Sequence, residues 1–348
     1  MNSLEKAFEL EEISIFNPAL LGLGSCGCNE ASRVRTMLDE VKAAKDIPLG
    51  VANTSKPEVK TTFLNLKKAG VQNIAPLVIG DGMGAGMDAN KGEKLINSTW
   101  DNTVHKYVEI ITNEQSVDTL FIFAGLGHGT GSNIAYATAR IQDEFPDLIV
   151  CPVVYIPRRA NPNACKIAAE SLEKIWALNV APIVIDNQNA VDHYMNVLGT
   201  KSHTEALRAL DKDVALSFAT IIKIMTSNPV YSFDKADFKA CISRTEFSIL
   251  GMTEYPLSVQ KINEDLLEQI HAFTHVDKRW KADWAIIGID TKEGGQLYDT
   301  GLDVINSNMG DTGNVKAALL ERDDVDKTRV VSLSSGYKMN SLRPKLVA

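Results

Sequence analysis

No apolar run in this chain approaches the ~20 residues that a membrane-spanning helix needs. Residues 1–12 are too charged for a secretory signal, so a cytoplasmic location is expected. Basic charge is also scarce. The 36 Lys and Arg against 44 Asp and Glu leave a formal charge of −8 over 348 residues, the wrong sign for gripping a phosphate backbone. Neither direct nucleic-acid binding nor membrane attachment is expected, and any DNA cargo would need an adaptor. The five cysteines, Cys26, Cys28, Cys151, Cys165 and Cys241, are odd in number and lack framework spacing, which excludes a disulfide scaffold. No second Cys or His pair follows Cys26 and Cys28 at zinc-site spacing, so no residue is assigned to a metal. Heptads, repeats and low-complexity tracts are missing too.

What remains is an ordinary globular composition, 45% apolar and 23% charged, in a chain long enough for two domains. Strand patterns at 47–52, 74–79, 119–124, 148–155 and 181–185 each precede a helical pattern. This alternation predicts an α/β fold with a parallel sheet, helices on both faces and ligands at the carboxyl ends of the strands. Residues 204–226 form a long amphipathic helix with Ala206, Leu210, Val214, Phe218, Ile221 and Ile222 on one side, stopped by Ser227-Asn-Pro229. Beyond it, strands at 247–251, 284–290, 315–320 and 329–335, with a helix at 259–272, predict a smaller mixed sheet packed on the long helix.

The richest stretch is Phe121-Ile-Phe-Ala-Gly-Leu-Gly-His-Gly-Thr-Gly-Ser132, an apolar strand that runs into a glycine-rich turn opening a helix. Gly125, Gly127, Gly129 and Gly131 let backbone N–H groups close on an oligophosphate, while Thr130 and Ser132 add hydroxyls at a helix N-terminus. No G-K-[ST] follows, so this is not a P-loop. It also lies mid-region and not at the first turn, so it is not the dinucleotide fingerprint.

Gly127-His-Gly-Thr-Gly-Ser-Asn133 resembles the G-G-G-T-G-[ST]-G signature of the tubulin/FtsZ family of GTPases, with His128 and Asn133 as departures. Further segments resemble that family's nucleotide loops in the same order. Leu21-Gly-Leu-Gly-Ser-Cys-Gly-Cys-Asn29 looks like its first loop and Val51-Ala-Asn-Thr-Ser55 like its N-T-D segment, with Ser55 in place of the acid. Gly82-Met-Gly-Ala-Gly86 looks like the loop near the γ-phosphate, Ile183-Val-Ile-Asp-Asn187 like the strand end that reads guanine, and Ser232-Phe-Asp-Lys-Ala-Asp-Phe238 like the loop that lends catalytic acids to a neighbouring subunit. Asn53-Thr-Ser-Lys56 looks closer to the plasmid and phage TubZ branch than to the division proteins.

The resemblance implies GTP or GDP with Mg²⁺ as cofactors, bound by Gly24, Ser25, Cys26, Asn29, Asn53, Gly84, Ala85, Gly86, Gly127, His128, Gly129, Thr130, Gly131 and Ser132. Asn187 and Asp213 would read the base. A carboxylate accepting from the N1–H and N2–H₂ donors selects guanine over adenine, and Asp213 falls within a residue of the family's position for it. The family's ribose-contacting Glu is not evident, Arg158 and Arg159 standing there instead. Asp234 and Asp237 would act in trans, three residues apart at a helix start, although the same spacing suits helix capping. His128 either donates to a phosphate or points outward from the turn.

The implied organisation is an N-terminal arm at 1–18, a GTP-binding domain at 19–202, a central helix at 203–227, an activation domain at 228–337 and a basic tail at 338–348. The helix-prone 3–12 segment either packs on a neighbour or lies on its own surface. The expected activity is GTP hydrolysis within self-assembled head-to-tail filaments that position DNA or phage. The lack of a long terminal linker argues against an FtsZ-type division role. Alternatives are a division protein, a scaffold that binds GTP without hydrolysing it, and an NAD-dependent oxidoreductase built on Gly22-Leu-Gly-Ser-Cys-Gly27, which lacks the acid expected after the second strand.

Overall fold

The structure is a computed structural model that describes residues 16–41, 46–243, 247–274 and 281–338. The expected helix at 3–12, most of the arm and the tail beyond Lys338 lie outside the described residues. The first strand, β1 (Pro18–Leu23), is buried at every position, as are β5 (Ile149–Ile156) and all but the last residue of β4 (Thr119–Gly125). Parallel strands covered on both faces read as continuous apolar runs, and these do. With β2 (Leu49–Asn53), β3 (Ile74–Val78) and β6 (Ile183–Asp186) they form a parallel sheet in the order β3-β2-β1-β4-β5-β6. This doubly wound order reverses direction between β1 and β4, so the loops leaving those strands diverge and leave a crevice at their carboxyl ends.

Alternation along β4 sends its side chains into separate cores. Ile122 and Ala124 join Trp100, Val104 and Ile134 on one face, while Phe121 and Phe123 meet the long helix on the other. In chain order the helices so far are α1 (Gly24–Glu40), α2 (Lys56–Lys68), α3 (Ala89–Thr99), α4 (Val104–Asn113), α5 (Ile134–Glu144), α6 (Pro162–Trp176) and α7 (Asn187–Leu198). The long helix is α8 (His203–Thr226), 24 residues, capped by the Ser202 hydroxyl accepting from the Glu205 N–H. The Phe218 ring sits edge-on to Phe123 at 4.9 Å and to Phe121 at 6.1 Å. From Val214 to Met225 every residue of α8 is buried, because strands of the C-terminal region cover the side turned away from the first sheet.

After α9 (Lys235–Ile242) come β7 (Phe247–Tyr255), α10 (Asp265–Ile270), β8 (Ala282–Thr291), α11 (Gly295–Ser307), β9 (Met309–Glu321) and β10 (Thr328–Tyr337). Three features depart from expectation. The mixed strands do not form a separate sheet: β7 pairs in parallel with β6 at Ile183 and Ser248, so one ten-stranded sheet continues as β7-β10-β8-β9. The helix expected at 259–272 shrinks to α10. Helix α11 was not anticipated. The division at 19–202, 203–227 and 228–337 is accordingly kept as a proposal. Among the described residues no helix is long and apolar enough to cross a membrane.

Candidate functional site

The loops that leave β1, β2, β3 and β4 knit together at the carboxyl edge of the sheet. Helix α1 begins at Gly24, whose φ of +74° suits glycine, and no side chain caps its first turn. The open helix N-terminus is therefore free to meet an anion. A Cβ on Gly24 would lie 3.0 Å from the Gly131 nitrogen, and one on Gly131 would lie 2.3 Å from the Gly125 carbonyl oxygen. Backbone packs directly on backbone here, which is why side chains are missing. Over Gly125 sits the half-buried Cys26.

Much of the hydrogen bonding expected to face phosphate is spent inside the cradle. The Ser132 hydroxyl accepts from the Gly127 N–H at 2.9 Å, and the Gly129 N–H donates to the Gly86 carbonyl at 3.1 Å. Thr54 ties three loops: its hydroxyl meets that of Thr130 at 2.8 Å and accepts from the Ala85 N–H at 3.0 Å, while its carbonyl accepts from the Gly84 N–H at 2.8 Å. Asn133, one of the two departures from the signature, is buried and donates through Nδ2 to the Gly129 and Ala89 carbonyls at 2.7 and 2.9 Å. The amides of His128 and Thr130 have no partner among the described residues, and the His128 side chain is exposed at the tip. Those amides, the start of α1 and the Ser132 hydroxyl, which here only accepts, are open to an anion.

Ser25 and Asn53 come together as expected, but around a residue not foreseen. The Glu58 carboxylate accepts from the Ser25 hydroxyl and, at 2.8 Å, from Asn53 Nδ2. An acid in the first turn of a helix is too common to stand out in a sequence.

Beyond Ser25, α1, α2 and α8 enclose a cleft of about 560 Å³ holding Asn29, Arg33, Arg208 and Asp211. Asp213 does not line this cleft. Residues two apart on a helix point about 200° apart, and Asp213 turns away to accept from the Tyr194 hydroxyl at 2.6 Å, where burial raises its carboxyl pKa. The acid in the cleft is Asp211, 3.0 Å from Arg33 Nη2. Asn187 opens α7, half-buried, behind Asp186, which caps that helix and holds Arg159 with 2.7 Å between Oδ2 and Nη2.

Glu30 also pairs with Arg33 but from the buried side, only 6% exposed. Burial first, then the Asp211 charge, pushes its carboxyl from the ordinary 4.5 up to about 7. A raised carboxyl pKa favours the folded state in acid and withdraws that contribution as pH climbs from the unfolded to the folded value. Wild type is therefore expected to lose stability relative to Glu30→Gln between about pH 5 and 7, read as the gap between their denaturant midpoints. A constant gap would refute it.

The acids sit at the far edge of the sheet. Lys235, between Asp234 and Asp237, reaches Asp118 Oδ2 at 2.6 Å, and Asp118 immediately precedes β4. Phe233 and Phe238 pack on Phe16, which precedes β1. The capping alternative is realised in full: Asp234 Oδ1 accepts from the Asp237 N–H at 2.8 Å and Asp237 Oδ2 from the Asp234 N–H at 3.3 Å. Asp237 also meets Lys316 at 3.1 Å, while Asp234 stays exposed.

Residues 19–195, just over half of the chain, match the model of the tubulin/FtsZ family, GTPase domain. The chain belongs to the tubulin/FtsZ family. Among curated proteins of the family, the "Cell division protein FtsZ 2" of Halobacterium salinarum is 24% identical over 262 residues, 75% of this chain and 61% of that protein. The chain thus spans about 61% of the length of that relative. Two solved structures show the fold: CetZ2 from Haloferax volcanii, a GTPγS-bound protofilament, with a TM-score of 0.74 at 17% identity over 95% of this chain and 96% of that one, and a GTPγS-form protofilament of Bacillus thuringiensis serovar israelensis TubZ, with 0.69 at 14% over 95% and 91%. Within the family, these scores do not single out the TubZ branch.

Proposed function

We propose that the protein binds GTP in the cradle, stacks head to tail on copies of itself and hydrolyses the nucleotide where two copies meet. The observation that carries this is the separation of the half-sites. The cradle lies at the carboxyl ends of β1 and β4 and the acid loop at their amino ends, and the seven residues of β4 alone span roughly 23 Å. One subunit's acids cannot serve its own nucleotide. Stacked head to tail, each subunit brings Asp234 and Asp237 to its neighbour's γ-phosphate, where a carboxylate can orient water and accept its proton. A heterologous contact of this kind gives open filaments.

In the cleft, Asp211 replaces Asp213 as the proposed acceptor for guanine's donors, with Asn29 at the cleft mouth and Asn187 as the second base contact. Mg²⁺ suits the hard carboxylate oxygens of Glu58 at the cradle mouth. Among the described residues no group of three or more His, Cys, Asp or Glu could hold a metal ion, so the ion would arrive on the nucleotide, where it neutralises phosphate charge. Sedimentation tests the whole reading: GTP should drive the protein into pelletable filaments visible by negative stain, whereas equal pelleting with ATP or GDP would contradict it.

For the biological role, Asn53-Thr-Ser-Lys56 supports a TubZ-type part in positioning DNA or phage through an adaptor in the cytoplasm. The curated relatives named as cell division proteins support division as the second reading. Tagged filaments that track a replicon favour the first, and a ring at the constriction site favours the second.

A further inference from the structure

Glu58 stands three residues after Ser55, in the first turn of α2. Its helix takes no side-chain cap, and the carboxylate turns instead toward the cradle, where Ser25 and Asn53 donate to it. It lines an open pocket of about 400 Å³ with Ser25, Asn29, Asn53 and Thr62. The other acids around the site bond within their own loops or to Arg33. Asp81 accepts from the Met83 N–H and Asp88 from the Lys91 N–H, both at 2.9 Å, while Glu30 and Asp211 hold Arg33.

A bare carboxylate beside a triphosphate is repulsive, and a divalent cation between them reverses the sign. Mg²⁺ sites of this kind use one or two carboxylates, substrate phosphates and retained waters. We infer that Glu58 is the acid that receives the nucleotide's Mg²⁺, through the ion's water shell. This rests on GTP being the ligand of the cradle.

The test is the equilibrium affinity of a fluorescent GTP analogue with Mg²⁺ and with EDTA, in wild type, Glu58→Gln and Ser25→Ala. Glu58 is exposed, so the neutral isostere leaves the core intact. Wild type should lose about tenfold in affinity when Mg²⁺ is chelated. Glu58→Gln should shrink that ratio to about twofold, with affinity in EDTA equal to or tighter than wild type. Ser25→Ala should keep the wild-type ratio. An unchanged ratio in Glu58→Gln, or an equal loss of affinity with and without Mg²⁺, would overturn the inference. So would Ser25→Ala matching Glu58→Gln, since Glu58 would then act only by fixing the loop. Absence of GTP binding by wild type would overturn the GTP reading itself, and the inference with it.

Discussion

Asp237→Ala and Asp234→Ala are expected to leave GTP affinity within about twofold of wild type while phosphate release falls by at least about a hundredfold. Affinity survives because neither carboxylate is near its own subunit's cradle: Lys235 ties that loop to Asp118 at the foot of β4. Turnover is expected to fail because the two carboxylates work as a pair, one orienting water and one accepting its proton, and either variant leaves the pair incomplete. The capping box gives both residues a structural role as well, and losing the Asp234 cap should cost about 1 kcal/mol. Asp234→Asn separates the roles. Asparagine caps as well as aspartate, so stability should recover, but an amide cannot accept the proton and turnover should stay low. Recovery of both together would assign Asp234 to capping alone. If hydrolysis times disassembly, polymers of either alanine variant should also outlast those of wild type.

Gly129→Val is expected to weaken GTP binding by more than about a hundredfold while leaving the cooperative unfolding transition in place. A Cβ at this position would lie 2.5 Å from the Gly86 carbonyl oxygen and 2.7 Å from Ala85 Cβ. Neither neighbour is the end of a flexible side chain, so the 84–88 loop must move, breaking the bond from the Gly129 N–H to Gly86. The displaced atoms belong to surface loops, and the aromatic contacts of Phe121, Phe123 and Phe218 lie below them. Titration with a fluorescent GTP analogue and a thermal melt check both halves. Normal affinity would show that the cradle is elsewhere.

The parts of the site readable from the sequence are those in which local chemistry dictates local shape. Glycines between an apolar strand and a helix announced the turns at Gly24 and Gly127, both of which take positive φ. The long helix announced itself by periodicity and by Ser227-Asn-Pro229. What escaped depends on rotation and distance. A motif placed to within one residue cannot fix the face of a helix, because each residue turns it by about 100°, so the spacing could not tell that Asp211 lines the cleft and Asp213 does not. Glu58 reaches Ser25 only because α2 packs beside α1, a contact that no spacing rule encodes. The cradle's internal hydrogen bonds were invisible for the same reason: the Ser132 hydroxyl accepts from the Gly127 N–H, and the Thr130 hydroxyl meets that of Thr54 on another loop. Likewise the single sheet depends on one parallel pairing between Ile183 and Ser248, 65 positions apart in sequence.

Completion of the active site between subunits is the central claim, and mixing two inactive variants tests it most directly. Asp237→Ala keeps a cradle and lacks an acid; Gly129→Val keeps the acids and lacks the cradle. Each alone should release almost no phosphate from GTP. Once co-sedimentation has shown that both enter the same filaments, the mixture should regain phosphate release at interfaces that pair the intact cradle with the intact acids. Clear co-assembly without any recovered phosphate release would contradict catalysis in trans and return Asp234 and Asp237 to the helix they cap.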